Sequence, residues 1–184
     1  MDFIPKSNWQ WVFDKQRTLL TLQMGDYIID IAYKVNMLVL PDDQPIPFTV
    51  EDVARYTQLF ESNALKDYDA EFACKIILHI LVIDLFHKPI MPKSWLFTSA
   101  DTQNVGVIDN MTHVTLTAKG DYESAHYLLL EDEKEFALCM LIDQIHQLSP
   151  RKSLPQFHII KVTLDKLRVI TADTEKNWNS FQIA

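Results

Sequence analysis

Between Asp69 and Pro89 the chain carries a segment that reads as a buried helix. Phe72, Ile76, Ile80 and Ile83 form one stripe at helical spacing, and Cys74, Leu78, Leu81 and Leu85 form a second. A helix that is apolar on most sides belongs in the middle of a domain, so the rest of the fold must cover it. Its start falls near Asp67 or Asp69 and its end near Phe86, because Pro89 and Pro92 forbid continuation. The most apolar run, Ile76 to Phe86, is interrupted by His79 and Asp84. It is far below the roughly 20 residues needed to span a bilayer.

What covers this helix is legible upstream. Trp9, Trp11 and Phe13 alternate with Gln10, Val12 and Asp14. Leu20, Leu22 and Met24 follow, then Tyr27, Ile29, Ile31 and Tyr33. This period of two predicts an antiparallel meander with one apolar face. Gly25-Asp26 supplies the turn, with Gly free to take positive φ. A loop holds Pro41, Pro45 and Pro47. Thr49 with Asp52 then resembles a capping box, with Asp in place of the usual Glu, and predicts a helix over about 50–62.

Beyond Pro92 the pattern returns to period two. Strands are predicted over 94–98, 104–108, 112–117, 125–131 and 136–143. Turns fall at Asp109-Asn110, Lys119-Gly120-Asp121 and Glu131-Asp132-Glu133. Such a succession of short strands predicts a small closed or strongly twisted sheet. Ser149-Pro150-Arg151-Lys152 is a polar break. Phe157, Ile160, Lys161, Leu164 and Leu167 then predict a final helix capped by Ser153 and ending near Arg168. The last 13 or so residues read as a tail anchored by Trp178 and Phe181. The fold class is α+β. An N-terminal α/β domain of antiparallel strands and two helices spans 1–92, and a twisted β domain with a late helix spans 93–184.

Composition then removes function classes. The 184 residues contain three glycines, Gly25, Gly106 and Gly120, none near another. That excludes a P-loop and a GxGxxG dinucleotide loop. Asp and Glu outnumber Lys and Arg by 25 to 17, for a net charge of −8, which argues against phosphate-driven nucleic-acid binding. Met1 to Lys6 does not read as a signal peptide, so the chain is expected to be cytoplasmic. Cys74 and Cys139 read as two buried free thiols, with a single disulfide as the alternative. Cys139 sits between Leu138 and Met140, where desolvation disfavours a thiolate nucleophile.

Few other side chains stand in a pattern that carries chemistry. The six histidines form no HExxH, and no CxxC or GxSxG occurs, so no metal or cofactor is expected. Asp84 and His87 lie one helical turn apart. They are open to three readings: an acid/base pair, half of a metal site, or a charge-assisted contact near a helix end. His79 reads as a hydrogen-bonded core histidine. Lys93-Ser94-Trp95 combines a cation, a hydroxyl and a large ring just after a proline-fixed linker. It is either a binding element or part of the core.

Asn8-Trp9-Gln10-Trp11 with Asp14, the Leu-rich strand leading to Gly25, and Ala137-Leu138-Cys139-Met140-Leu141 carry a family likeness. Most specific is Lys88-Pro89-Ile90-Met91-Pro92-Lys93-Ser94-Trp95 with Phe97. On these landmarks and their spacing the chain resembles the Z-ring-associated protein C (ZapC) family over nearly its whole length. The resemblance implies a cytoplasmic, monomeric cell-division factor without enzymatic activity. Such a factor binds the tubulin-like GTPase FtsZ, promotes lateral bundling of its protofilaments and stabilises the ring at midcell. It also implies a β-barrel-like C-terminal domain, and partner contacts at Leu22, Lys88, Lys93 and Trp95. Leu22 has a competing assignment to the core, since it sits on the apolar strand face. Two further readings stand beside this one: an interaction module for another partner, and a small hydrolase or ligand-binding protein built on Asp84 and His87.

Overall fold

The computed structural model describes residues 3–40, 44–100, 109–120 and 123–170. The predicted strand 104–108 and the tail with Trp178 and Phe181 lie outside the described residues. The chain divides into two compact units, Met1–Pro89 and Ile90–Ala184.

In the N-terminal unit, β1 (Trp9–Asp14), β2 (Leu19–Met24), β3 (Tyr27–Lys34) and the two-residue β4 (Ile46–Pro47) form an antiparallel sheet in the order β3-β2-β1-β4. Trp9 pairs with Met24 and Trp11 with Leu22, so large side chains meet on one buried face. Gly25 opens the β2–β3 turn at φ 66°, a conformation that favours glycine. Two helices cover the sheet, α1 (Val50–Phe60) and α2 (Ala70–Phe86). Thr49 Oγ1 accepts the Asp52 N–H at 3.3 Å, and Asp52 Oδ2 accepts the Thr49 N–H at 2.8 Å, closing the expected capping box. Thr49→Ala removes half of that box and is expected to lower stability by about 1 kcal/mol in urea unfolding. Asp69 caps α2 through the Phe72 N–H at 2.9 Å.

Eleven of the seventeen α2 residues are buried, as the sequence implies. Phe86 meets the Trp11 ring edge-on at 6.1 Å. His79 is 2% exposed and ties the helix to the sheet. Its Nδ1 donates to Lys75 O at 2.6 Å, which leaves Nε2 to accept the Ala32 N–H of β3 at 3.0 Å. The β2–β3 register shifts between Leu19 and Thr21, and Ala32 lies in the stretch of β3 between those pairs.

Among its described residues the C-terminal unit forms a sheet of five strands in the order β10-β7-β6-β5-β11, with a separate hairpin β8–β9. Its strands are β5 (His113–Thr117), β6 (Ser124–Glu133), β7 (Phe136–Leu141), β8 (Ile145–Ser149), β9 (Lys152–Pro155), β10 (Ile159–Thr163) and β11 (Arg168–Val169). Leu148 and Leu154 of the hairpin join Val114, Tyr127, Cys139 and Ile160 of the sheet in one core. Tyr127 Oη donates to His146 Nδ1 at 2.7 Å, and His146 Nε2 donates to Glu123 O at 3.1 Å.

β10 and β11 are adjacent in sequence yet occupy opposite edges. Laid flat, those edges would stand roughly 19 Å apart. The link from Thr163 to Arg168 contains a 3-10 turn, Leu164–Lys166, that rises only about 2 Å per residue. The sheet must therefore curl until its edges approach. This is the barrel-like form, although β10 and β11 do not pair with each other.

Three sequence expectations change here. The final helix predicted over 153–168 is two strands followed by the turn Leu164–Lys166, so the late helix is a single 3-10 turn. Phe157 is the local reason: its φ of 64° is incompatible with a helix. The strand predicted over 94–98 is a 3-10 turn, Ser94–Leu96, followed by one bridge between Phe97 and Ala118. The turn expected at Glu131–Glu133 falls later, because β6 runs on to Glu133.

Candidate functional site

The segment from Lys93 to Ala100 runs across the gap between the two converging edges. At β10 the Lys93 N–H donates to Lys161 O at 2.8 Å, and the Thr163 N–H donates to Ser94 Oγ at 2.8 Å. At the end of β5 the Thr98 N–H donates to Thr117 O at 2.9 Å, and the Lys119 N–H donates to Leu96 O at 3.0 Å. Ala100 N–H then donates to Asp165 O at 2.8 Å. Ser99 Oγ donates to Asp165 Oδ2 at 2.7 Å, and Lys166 Nζ donates to Ser99 Oγ at 2.6 Å. Lys166, Thr163 and Ser99 together hold the Asp165 carboxyl down to about 2. The segment thus closes the curled sheet with backbone and hydroxyl bonds.

Between these anchors the chain leaves the sheet. Leu96 N–H returns to Lys93 O at 3.1 Å and Phe97 N–H to Ser94 O at 3.1 Å, forming the turn. Phe97 is fully buried in the core, whereas Trp95 points out and is 63% exposed. Met91, four residues earlier, is 78% exposed. Lys93 itself is half-buried. Buried and exposed tryptophans thus separate cleanly among the described residues: Trp9 and Trp11 fill the core of the N-terminal unit, and Trp95 is displayed.

The other expected contacts lie in the N-terminal unit. Lys88 is exposed; its Nζ donates to Asn36 O at 3.0 Å and its N–H to Met37 O at 2.9 Å. Leu22 is fully buried. It therefore offers no surface to a partner, and its contribution is to the core.

Asp84 and His87 do not form a site. Asp84 Oδ2 accepts from Arg55 Nε on the neighbouring helix at 3.3 Å. Desolvation still raises the Asp84 carboxyl against the opposing pull of Arg55. His87 Nδ1 donates to Lys88 O at 2.6 Å, and its ring meets Tyr33 edge-on at 5.4 Å. Burial lowers its basicity.

Both cysteines are free and buried. Desolvation pushes the Cys74 thiol up to about 11 and raises Cys139 further, so neither carries a thiolate at neutral pH. Among the described residues, no group of three or more His, Cys, Asp or Glu side chains is placed to hold a metal ion. No helix among them is long and apolar enough to cross a membrane.

Fold and site together define a class: a two-unit α+β protein whose second unit is a curled sheet closed by a segment that displays a tryptophan. Two family models cover this architecture, cell-division protein ZapC, N-terminal, over residues 2–88 and cell-division protein ZapC, C-terminal, over residues 89–173. A cell division protein ZapC of Psychromonas ingrahamii is 47% identical over 173 residues, covering 94% of this chain and 92% of its own length. One of Pseudoalteromonas atlantica is 32% identical over 170 residues, covering 89% and 92%. One of Idiomarina loihiensis is 29% identical over 182 residues, covering 94% and 96%. The chain belongs to the ZapC family of cell-division proteins.

Proposed function

We propose that this chain binds FtsZ through a surface centred on Trp95, promotes lateral bundling of FtsZ protofilaments and thereby stabilises the division ring at midcell. The observation that carries the reading is the exposure of Trp95 on a turn fixed at both ends by hydrogen bonds. A large ring held rigidly in water has little conformational freedom left to lose on binding. Met91 adds apolar area, and Lys93 adds a local cation to a chain whose net charge is −8. Against an acidic filament, long-range attraction is absent and contact area must supply the affinity. Bridging two filaments requires either two contact surfaces per molecule or self-association. Exposed Lys88 in the N-terminal unit is the candidate for the second contact, and two linked contacts gain from effective concentration.

The test is co-sedimentation with FtsZ polymers. Trp95→Ala is expected to weaken pelleting at least tenfold, since truncating an anchoring tryptophan typically removes about 2 kcal/mol or more and 1.4 kcal/mol is tenfold. Lys93→Ala should weaken it less. Leu22→Ala should act differently, lowering stability by about 3 kcal/mol through a core cavity. Unchanged pelleting by a folded Trp95→Ala variant removes this surface as the contact.

A further inference from the structure

We infer that Ser94 is the positioning residue for Trp95: its hydroxyl takes the place of a backbone carbonyl and so releases the chain from the sheet at the point where Trp95 must face outward. This rests on the reading of Trp95 as the partner contact and deepens it.

β10 bonds to β7 through alternate residues, Ile160 and Val162 opposite Cys139 and Ala137, which turns the backbone groups of Lys161 and Thr163 to the other side. There Lys161 O and the Thr163 N–H are engaged by the incoming segment. A strand lying parallel to β10 would meet both groups with one residue, donating its N–H to the first and accepting the second on its C=O. Lys93 begins that pattern, since its N–H donates to Lys161 O at 2.8 Å. Continued, the ladder would place Lys93 O on the Thr163 N–H. Instead Lys93 adopts φ −128° and ψ 35° and turns its carbonyl to the Leu96 N–H at 3.1 Å. The Thr163 N–H is then satisfied by Ser94 Oγ at 2.8 Å.

One hydroxyl thus permits two things at once. The edge donor keeps an acceptor, as a part-buried N–H requires. Lys93 O is free to close the 3-10 turn, whose middle residue is Trp95. Without the hydroxyl the Thr163 N–H and the Leu96 N–H compete for the same carbonyl. Satisfying Thr163 draws the segment into the sheet and unwinds the turn. Trp95 then loses its fixed presentation, although the core residue Phe97 remains anchored at Ala118.

The experiment compares Ser94→Thr, which keeps the hydroxyl, with Ser94→Val, its isostere without one. The full chain is labelled with 5-fluorotryptophan, and the Trp95 resonance is assigned by its loss in Trp95→Phe. Ser94→Thr is expected to retain both the wild-type Trp95 fluorine resonance and wild-type pelleting with FtsZ polymers. Ser94→Val is expected to shift and broaden that resonance, leave those of Trp9 and Trp11 in place, and weaken pelleting about tenfold. Should Ser94→Val not fold, Ser94→Ala gives the same readings. A hydroxyl-free variant with the wild-type Trp95 resonance overturns the positioning role. So does one with a shifted resonance and unchanged pelleting, where Trp95→Ala abolishes pelleting. If Trp95→Ala pellets normally, the contact reading itself falls, and the fluorine shift alone still decides whether Ser94 holds the turn.

Discussion

His79→Ala is expected to lower the unfolding free energy by about 3 kcal/mol at neutral pH, read as a reduced urea midpoint by circular dichroism. The side chain is 2% exposed and fills space between α2 and β3, where its ring meets Tyr33 edge-on at 5.4 Å. Truncation leaves a cavity, and large-to-small changes of this kind fall in the range of 2–5 kcal/mol, so about 3 is a central value. It also removes the acceptor of the Ala32 N–H, a group that the shifted β2–β3 register leaves to His79. His79→Gln keeps an amide oxygen that reaches toward Ala32 and should lose less. A midpoint within about 0.5 kcal/mol of wild type for the alanine variant would show that the helix is not tied to the sheet at this point.

That histidine illustrates how much the sequence carries. Its burial follows from its place on a helix apolar on most sides, and a hydrogen-bonded core role is the reading such a place favours. The partner Ala32, 47 residues away, depends on a register shift that no local pattern signals. Caps and tight turns were legible for the opposite reason. Thr49 with Asp52, Asp69 with Phe72 and Gly25 are satisfied within three residues or by their own backbone. The helical spacing beyond Ser153 arises by coincidence of three different local structures. Phe157, Ile160, Leu164 and Leu167 stand at helical spacing, but they are a left-handed turn residue, a strand residue, the first residue of a 3-10 turn and the extended residue that ends that turn. Ile160 and Val162 show the true period, two, and both lie in the core of the curled sheet.

The candidate site shows the same division. Lys93-Ser94-Trp95 stands out in the sequence by residue type, yet Trp95 and Phe97 alternate as a strand would. What breaks the alternation is a bond from Thr163, 69 residues later, to the Ser94 hydroxyl. Leu22 is the converse case. The family resemblance marks it as a contact, whereas the apolar alternation of β2 places it in the core, and its full burial agrees with the alternation. Asp84 and His87, adjacent on a helical wheel, are separated by what each finds nearby: Arg55 for the carboxylate, and the Lys88 carbonyl and the Tyr33 ring for the imidazole.

Acidification from pH 7 to pH 4.5 is expected to destabilise the protein by several kcal/mol, and two buried histidines set the sign. Burial lowers His79 to about 4, against the opposing effect of its bond to Lys75 O. Burial, followed by the adjacent His113, lowers His126 to about 3. Unfolded, each takes up a proton near 6.5. Between 6.5 and the folded value the unfolded chain therefore binds more protons, and stability falls as pH falls. Each histidine contributes a slope approaching about 1.4 kcal/mol per pH unit across that window. His79 lies in the first unit and His126 in the second, so by pH 4.5 each unit loses roughly 2–3 kcal/mol, a large fraction of the stability of a typical domain. Asp165 acts lower down. Held to about 2, chiefly by Lys166 and Thr163, it supports the fold above the usual carboxylate value and loses that contribution only below about pH 4. Urea unfolding at pH 7, 6, 5 and 4.5 reads the slope. In His79→Gln the wild-type curve should flatten by about one proton, because the variant starts less stable but has one fewer buried imidazole to charge. A stability constant from pH 7 to 4.5 would mean that neither imidazole is held neutral by the fold.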